Sequence, residues 1–171
     1  MGSDKALLQI GGVPMVLRVA AALTDAGCHP VSAIGGDRPE LELLGLPVID
    51  DEWPGEGPVG GVFTALSSAG AADAVVVVAC DMPRLSAPTV RLLIECLERS
   101  PSAEAVVAST DRVQPLCAVW RPSACSTLLS ALERGERRLH AVLAELVTVA
   151  VVVNLQDLTN VNTPDDLPTR L

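Results

Sequence analysis

An α/β layered domain with a mostly parallel sheet is the fold class that the sequence predicts, and three observations support it. Short apolar segments alternate with amphipathic segments along the 171 residues. Residues 74–80 (A-V-V-V-V-A-C) form a continuous, largely β-branched run, which is typical of a strand buried on both faces. Apolar residues make up 49% of the chain and charged residues 19%. That composition suits one well-formed core, and we expect a single domain over residues 1–171.

The elements follow from apolar periodicity and from turn residues. Residues 6–10 read as extended, Gly11-Gly12 as a turn, and residues 14–26 as an amphipathic helix ended by Gly27. The other predicted strands, besides residues 74–80, are 31–34, 48–49, 104–109, 115–120 and 148–153. The other predicted helices cover 38–44, 60–68, 87–98, a segment from Ser123 to 134, and 137–146.

Charge and composition exclude several classes of partner. The net charge of -9 argues against binding a nucleic-acid backbone, which requires a basic face. No apolar run is as long as a membrane span. The five cysteines are odd in number and form no C-x-x-C pair, which favours a reducing, cytoplasmic setting. We interpret His29 and His140 as structural or solvated residues.

Asp81 is the most informative candidate site residue. It follows the 74–80 strand directly, and Pro83 prevents that strand from continuing. Ligands of open α/β sheets bind just outside the carboxyl ends of the strands, so a carboxylate here suits Mg²⁺ held with a nucleotide. The alternative is a solvated aspartate that caps the next turn.

Two further segments carry candidate phosphate or nucleotide contacts. Lys5 follows Gly2-Ser3-Asp4, and a lysine after a glycine-containing loop can bring positive charge to phosphates; a solvated terminal lysine is the alternative. Asp51 lies at the end of the 48–49 strand, before the Gly/Pro-rich loop 54–61, whose backbone can approach a ligand closely. A tight structural turn is the alternative for that loop.

The last candidate segments lie in the C-terminal half. Arg137 and Arg138 form a local basic spot suited to a phosphate or carboxylate, or else a salt bridge with a nearby glutamate. Asn160 and Asn162 flank an apolar residue in a loop. There is no G-x-S-x-G and no H-E-x-x-H pattern, so the candidates supply charge rather than a nucleophile. Carboxylates for a metal and cations for phosphates suit phosphoryl or nucleotidyl transfer.

Taken together, these segments resemble the molybdenum cofactor guanylyltransferase family of nucleotidyltransferases. Any one of them is weak evidence, but they occur in family order over nearly the whole chain. The matching segments are G-S-D-K-A-L-L (2–8), V-I-D-D-E-W-P-G-E-G-P-V-G-G (48–61), A-C-D-M-P (79–83), P-L-C-A-V-W (115–120), G-E-R-R-L (135–139) and N-V-N-T-P-D-D-L (160–167). The resemblance implies a three-layer α/β/α, Rossmann-like nucleotidyltransferase domain.

The resemblance also implies a reaction and roles for residues. GTP and molybdopterin are the implied substrates, giving the guanine dinucleotide cofactor and pyrophosphate, and molybdoenzymes or other cofactor-biosynthesis proteins are implied partners. Lys5 and Asp81 would be catalytic; Lys5, Asp51 and Asp81 would bind the nucleotide, with Asp81 holding Mg²⁺. The pterin side would comprise Arg137, Arg138, Asn160 and Asn162.

One departure from the family pattern concerns the N-terminus. Members carry a buried strand and a loop of the form L-A-G-G-x-S-x-R-M-G before the D-K pair, and here only Met1-Gly2 matches its end. Three explanations compete: the true start of the protein lies upstream, the chain is a fragment, or it is a degenerate relative that has lost catalysis. We favour the first. We expect weak GTP binding, low activity, poor solubility and exposed strand edges inside the fold. A related cytidylyltransferase and a non-catalytic molybdopterin-binding module remain the alternatives.

Overall fold

The structure, a computed structural model, describes residues 5–161. Its helices are α1 (Met15–Asp25), α2 (Arg38–Leu43), α3 (Gly57–Ser67), α4 (Ala87–Glu98), α5 (Cys125–Glu133) and α6 (Leu139–Leu143). Its strands are β1 (Gln9–Ile10), β2 (Val13–Pro14), β3 (Ala33–Ile34), β4 (Val48–Ile49), β5 (Val75–Val78), β6 (Ala105–Ser109), β7 (Val113–Trp120) and β8 (Thr148–Val152). None of the helices in this part of the chain is long and apolar enough to cross a membrane.

The main sheet has the strand order β5-β7-β6-β8. Strand β7 is antiparallel to β5 and β6, whereas β8 is parallel to β6. Three of the four strands therefore point the same way, which confirms the mostly parallel sheet. Strand β7 runs the other way because a short turn at 110–112 joins it to β6, and short turns join antiparallel neighbours.

Helices cover both faces of this sheet. One apolar cluster joins α3, α5 and α6 to Val75 and Val77 of β5, and a second joins α1 and α4 to Val76 and Val78. Alternate residues of one strand thus enter opposite cores, as the period of two in a strand requires. This arrangement confirms the three-layer α/β/α architecture.

The main sheet stops at β5 within residues 5–161. Strands β3 and β4 pair in parallel as a separate two-stranded sheet, and helix α3 contacts both β3 and β5. The four valines of β5 are only half-buried. The expectation that this strand is buried on both faces is therefore only partly met, and the expected open strand edge is observed at β5.

Three predicted boundaries are wrong for local reasons. Residues 5–7 form a 3₁₀ turn rather than the start of an extended piece. The helix predicted over 137–146 is only α6, because the carboxylate of Glu136 accepts the backbone N–H groups of Arg137 and Arg138 and ends the preceding turn. Strand β7 begins at Val113, before Pro115.

Candidate functional site

Lys5 and Asp81 form an ion pair where β5 ends. Lys5 Nζ lies 3.0 Å from Asp81 Oδ2, and the two side chains are 38% and 20% exposed. The other carboxylate oxygen, Oδ1, is buried and accepts no hydrogen bond from the residues that the structure describes. A buried carboxylate oxygen without a donor is costly unless a cation or donor meets it. The fold thus brings together two predicted site residues that are 76 positions apart in the sequence.

Asn160 lies beside this pair. The backbone N–H of Val161 donates to the carbonyl oxygen of Asp81 over 2.8 Å, and the Val161 side chain is buried. This bond holds the exposed Asn160 near the end of β5. Asn162 lies outside the described residues.

Asp51 lies where β4 ends, and its side chain organises the loop that follows. Oδ1 accepts hydrogen bonds from the backbone N–H of Trp53 (3.0 Å) and from Thr64 Oγ1 (3.1 Å). The fully buried Thr64 hydroxyl also accepts the N–H of Glu52. The loop therefore forms the tight structural turn that was the alternative to a ligand site, and its hydrogen bonds fix Asp51 against α3.

Arg137 and Arg138 are adjacent in sequence but differ in their surroundings. Arg138 is 79% exposed, and Glu136 holds its guanidinium through Nε (3.0 Å) and a terminal nitrogen (2.7 Å). These bonds, with the two backbone N–H groups, lower the pKa of Glu136 to about 2. The salt-bridge alternative is present, but the pair lies in a turn before α6 rather than on a helix.

Arg137 joins this turn to the start of α3. Its guanidinium donates to the carbonyl oxygens of Leu132 and Glu136 and forms an ion pair with Glu56. Gly57 lies next to Arg137 and has a φ of +67°, a backbone conformation that favours glycine. Arg137 therefore connects the 51–57 loop to the Arg138 turn.

A pocket of about 310 Å³ opens between the Arg137–Arg138 turn and β7. Its lining includes Gln114 and His140, which were not among the predicted site residues. His140, which we interpreted as structural or solvated, is exposed and lines this pocket. No periodicity reveals such a pocket, because it forms where β7 loses its register with β6.

The described residues contain no cluster of three or more His, Cys, Asp or Glu side chains able to hold a metal. Among the described carboxylates, Asp81 is the one with a buried oxygen that has no hydrogen-bond partner, which suits a cation that takes its other ligands from phosphates and water. Mg²⁺ binds in this way, through one or two carboxylates and the phosphates of a substrate. The donor set and the unpartnered Oδ1 fit that ion.

An α/β/α domain with a Lys–Asp ion pair where a strand ends has the architecture and the charges that nucleotidyltransferases use, in which charge and positioning perform the chemistry. The model of the MobA-like NTP transferase domain matches residues 1–150. The chain belongs to that family.

Curated relatives and solved structures agree with this assignment. A probable molybdenum cofactor guanylyltransferase of Opitutus terrae is 34% identical over 86% of this chain and 73% of its own length. The molybdenum cofactor guanylyltransferase of Xanthomonas euvesicatoria is 34% identical over 96% and 84%. The structure of molybdopterin-guanine dinucleotide biosynthesis protein A from Archaeoglobus fulgidus superposes with a TM-score of 0.74 at 26% identity, covering 95% and 86%.

Proposed function

We propose that this chain transfers GMP from GTP to molybdopterin, forming the guanine dinucleotide cofactor and pyrophosphate. The observation that carries the proposal is the Lys5–Asp81 pair at the end of β5, with its buried and unpartnered carboxylate oxygen. Relatives about one-third identical over most of the chain bear the name molybdenum cofactor guanylyltransferase, which supports the choice of substrates.

The reaction is a displacement at phosphorus. The terminal phosphate of the pterin attacks the α-phosphorus of GTP, a P–O bond forms, and the bond to the β-phosphate breaks to release pyrophosphate. Lys5 carries three N–H donors, so its ammonium can hold Asp81 and a phosphate oxygen together. Arg138 neutralises the attacking phosphate, and Asp51 and Asn160 position the substrates. Alignment and charge neutralisation lower the barrier.

Asp81 would hold Mg²⁺, and the bound ion supplies positive charge that reduces repulsion between the two anionic substrates. Asp81 can do so because its Oδ1 already lies in a buried position without a donor among the described residues. Bringing a carboxylate close to a triphosphate without a cation between them would instead be repulsive.

The proposal includes the cellular setting. The acidic chain, with five free cysteines, suits a reducing cytoplasm. Molybdoenzymes that receive the product are the proposed protein partners.

The test is calorimetric titration of GTP with and without Mg²⁺ into the wild-type chain and the Asp81→Asn variant. We expect Mg²⁺ to strengthen GTP binding in the wild type, and Asp81→Asn to weaken binding by about tenfold or more and to lose the Mg²⁺ effect. Asp73→Asn is the matched control, because Asp73 is an exposed aspartate that precedes β5 at its other end.

The same titration includes CTP as a competitor. Displacement of GTP by CTP at equal concentration would contradict the choice of guanine. An Asp81→Asn variant that binds GTP as the wild type does, with the same Mg²⁺ dependence, would contradict the site. Pyrophosphate release that needs both GTP and molybdopterin then checks the transfer itself.

A further inference from the structure

The pocket beside Arg138 is built by an irregularity in β7. Val107 of β6 pairs with Ala118, but the next residue, Ala108, pairs with Gln114. The β7 residues Pro115–Cys117 therefore have no partner in β6. Pro115 lies at this irregularity, where its missing N–H costs no ladder hydrogen bond.

The same irregularity directs its residues toward the pocket. Gln114, Pro115 and Leu116 all line it, opposite Arg138 and His140 on the turn into α6. Strand β7 also pairs with β5 here, since Ala79 donates its N–H to the carbonyl oxygen of Leu116 over 2.9 Å. Ala79 is two residues before Asp81, so one lining residue of the pocket is hydrogen-bonded to the segment that leads to the Lys5–Asp81 pair.

The lining combines flat apolar surfaces with a few polar groups. Proline and leucine side chains supply most of the wall, and the lining includes the polar or charged side chains of Gln114, Arg138 and His140. At about 310 Å³ the pocket reaches the lower end of the range for small-molecule sites. Such a lining suits a flat heterocycle that carries an anionic group.

We propose that this pocket binds the heterocyclic ring of the second substrate, a phosphorylated pterin, and that Gln114 and His140 determine its specificity. A carboxamide donates and accepts at once, so Gln114 can pair with the amide edge of a pterin. His140 is exposed and lines the pocket, so its imidazole can meet a polar edge of the ring, and Arg138, held by Glu136, takes the phosphate. This inference rests on the proposed function for the identity of the substrate.

The test uses 6-hydroxymethylpterin and its phosphate ester as fluorescent probes, without GTP. We expect Gln114→Leu and His140→Ala each to weaken binding of both probes by about tenfold, because an unpaired polar edge on the ring remains. Arg138→Gln should weaken only the phosphate ester. Arg134→Gln is the control, since Arg134 is a nearby exposed arginine that pairs with Glu145 and does not line the pocket.

Two measurements keep the result interpretable. Gln114→Glu retains the shape of the side chain but replaces its donor, so it should lose pterin binding while its thermal unfolding matches the wild type. Amide chemical shifts in the wild type should change around 114–116 and 137–140 on adding pterin. Shifts confined to other residues, or pterin binding unchanged in Gln114→Leu and His140→Ala, would overturn the inference.

GTP titrations of the same variants separate this inference from the proposed function. Normal GTP binding with lost pterin binding in Gln114→Leu supports the pocket as a pterin site. Suppose instead that pterin binds at the pocket but that Asp81→Asn leaves GTP affinity unchanged. That result would support this inference and contradict the proposed function. A wild-type chain that binds neither pterin probe would overturn the pocket assignment.

Discussion

Single side chains at this site serve two purposes, because groups that we propose to meet a substrate also hold the fold together. Asp51 is the clearest example: its Oδ1 accepts two hydrogen bonds that shape the 51–57 loop. A carboxylate already fixed by the protein loses little conformational freedom when it binds a ligand. Its orientation then depends on the buried hydroxyl of Thr64, which also accepts the N–H of Glu52.

Replacing Thr64 with valine tests this dependence. Valine keeps the shape of threonine but leaves the Glu52 N–H and the Asp51 carboxylate without the hydroxyl. We expect a loss of roughly 1–3 kcal/mol in the free energy of unfolding, and GTP binding about tenfold weaker because Asp51 is less well oriented. Urea unfolding and GTP calorimetry measure the two effects.

Thr64→Ser is the matched control. Serine keeps the hydroxyl and loses one methyl group, so its stability should fall by about 1 kcal/mol while its GTP affinity stays close to that of the wild type. Equal losses of GTP affinity in the serine and valine variants would show that the hydroxyl does not orient Asp51.

Among the elements, α3 positions the 51–57 loop by close backbone contact. Gly60 on this helix faces the loop: a Cβ there would lie 2.9 Å from the carbonyl oxygen of Trp53 and 3.0 Å from its Cβ. Gly61, one residue on, has nothing within 4 Å of the same position. The two glycines share one helix and differ in what they face.

Alanine at each position separates helix propensity from packing. Gly61→Ala should stabilise the chain by up to about 1 kcal/mol, because alanine is the better helix former. Gly60→Ala should destabilise it by about 1–3 kcal/mol, because the Trp53 backbone must move. Thermal unfolding of both variants provides the comparison, and a stabilised Gly60→Ala variant would contradict the close contact.

The elements also show how far the sequence leads. Periodicity predicts α1, α4 and the valine run of β5, because strong amphipathic or β-branched patterns outweigh local effects. It does not predict the irregularity at Pro115: a proline is typical of a strand start, whereas the pairing of Val113 and Gln114 with β6 lets β7 begin before it. The Gln114–His140 pocket was missed for the same reason, since tertiary pairing creates it.

Among site residues, charge pattern and family order nominate Lys5, Asp81 and Arg138, and the structure pairs the first two directly. Sequence alone does not distinguish Arg137 from its neighbour. Only the fold brings Glu56 of the α3 start against Arg137 and leaves Arg138 exposed. Roles that depend on long-range partners therefore lie beyond a linear pattern.

Over the whole molecule, net charge and site chemistry oppose each other. The chain carries a net charge of -9, yet the proposed substrates are anionic. Local positive charges must therefore outweigh the repulsion due to the net negative charge. Lys5, at the end of β5, and Arg138, in the turn before α6, provide such charges. Close charges in a partly desolvated site interact more strongly than distant ones screened by salt.

At the scale of the whole molecule, the main sheet and the β3–β4 pair are separate sheets, and this separation leaves one edge of β5 without a partner among residues 5–161. Backbone N–H groups alternate in direction along a strand. Ala79 donates to Leu116 of β7, so Val77 also faces β7, whereas the N–H groups of Val76 and Val78 face the opposite edge. Within residues 5–161, β7 is the only strand paired with β5.

Hydrogen exchange followed by NMR should therefore differ along β5. We expect the amides of Val77 and Ala79 to exchange more slowly than those of Val76 and Val78, because only the first pair is bonded within the described sheet. Val106 and Val107 of β6, which has a strand on each side, are the internal control and should both be protected. Equal protection of the four amides of residues 76–79 would mean that another segment covers this edge, and the sheet would then extend past β5 toward β3.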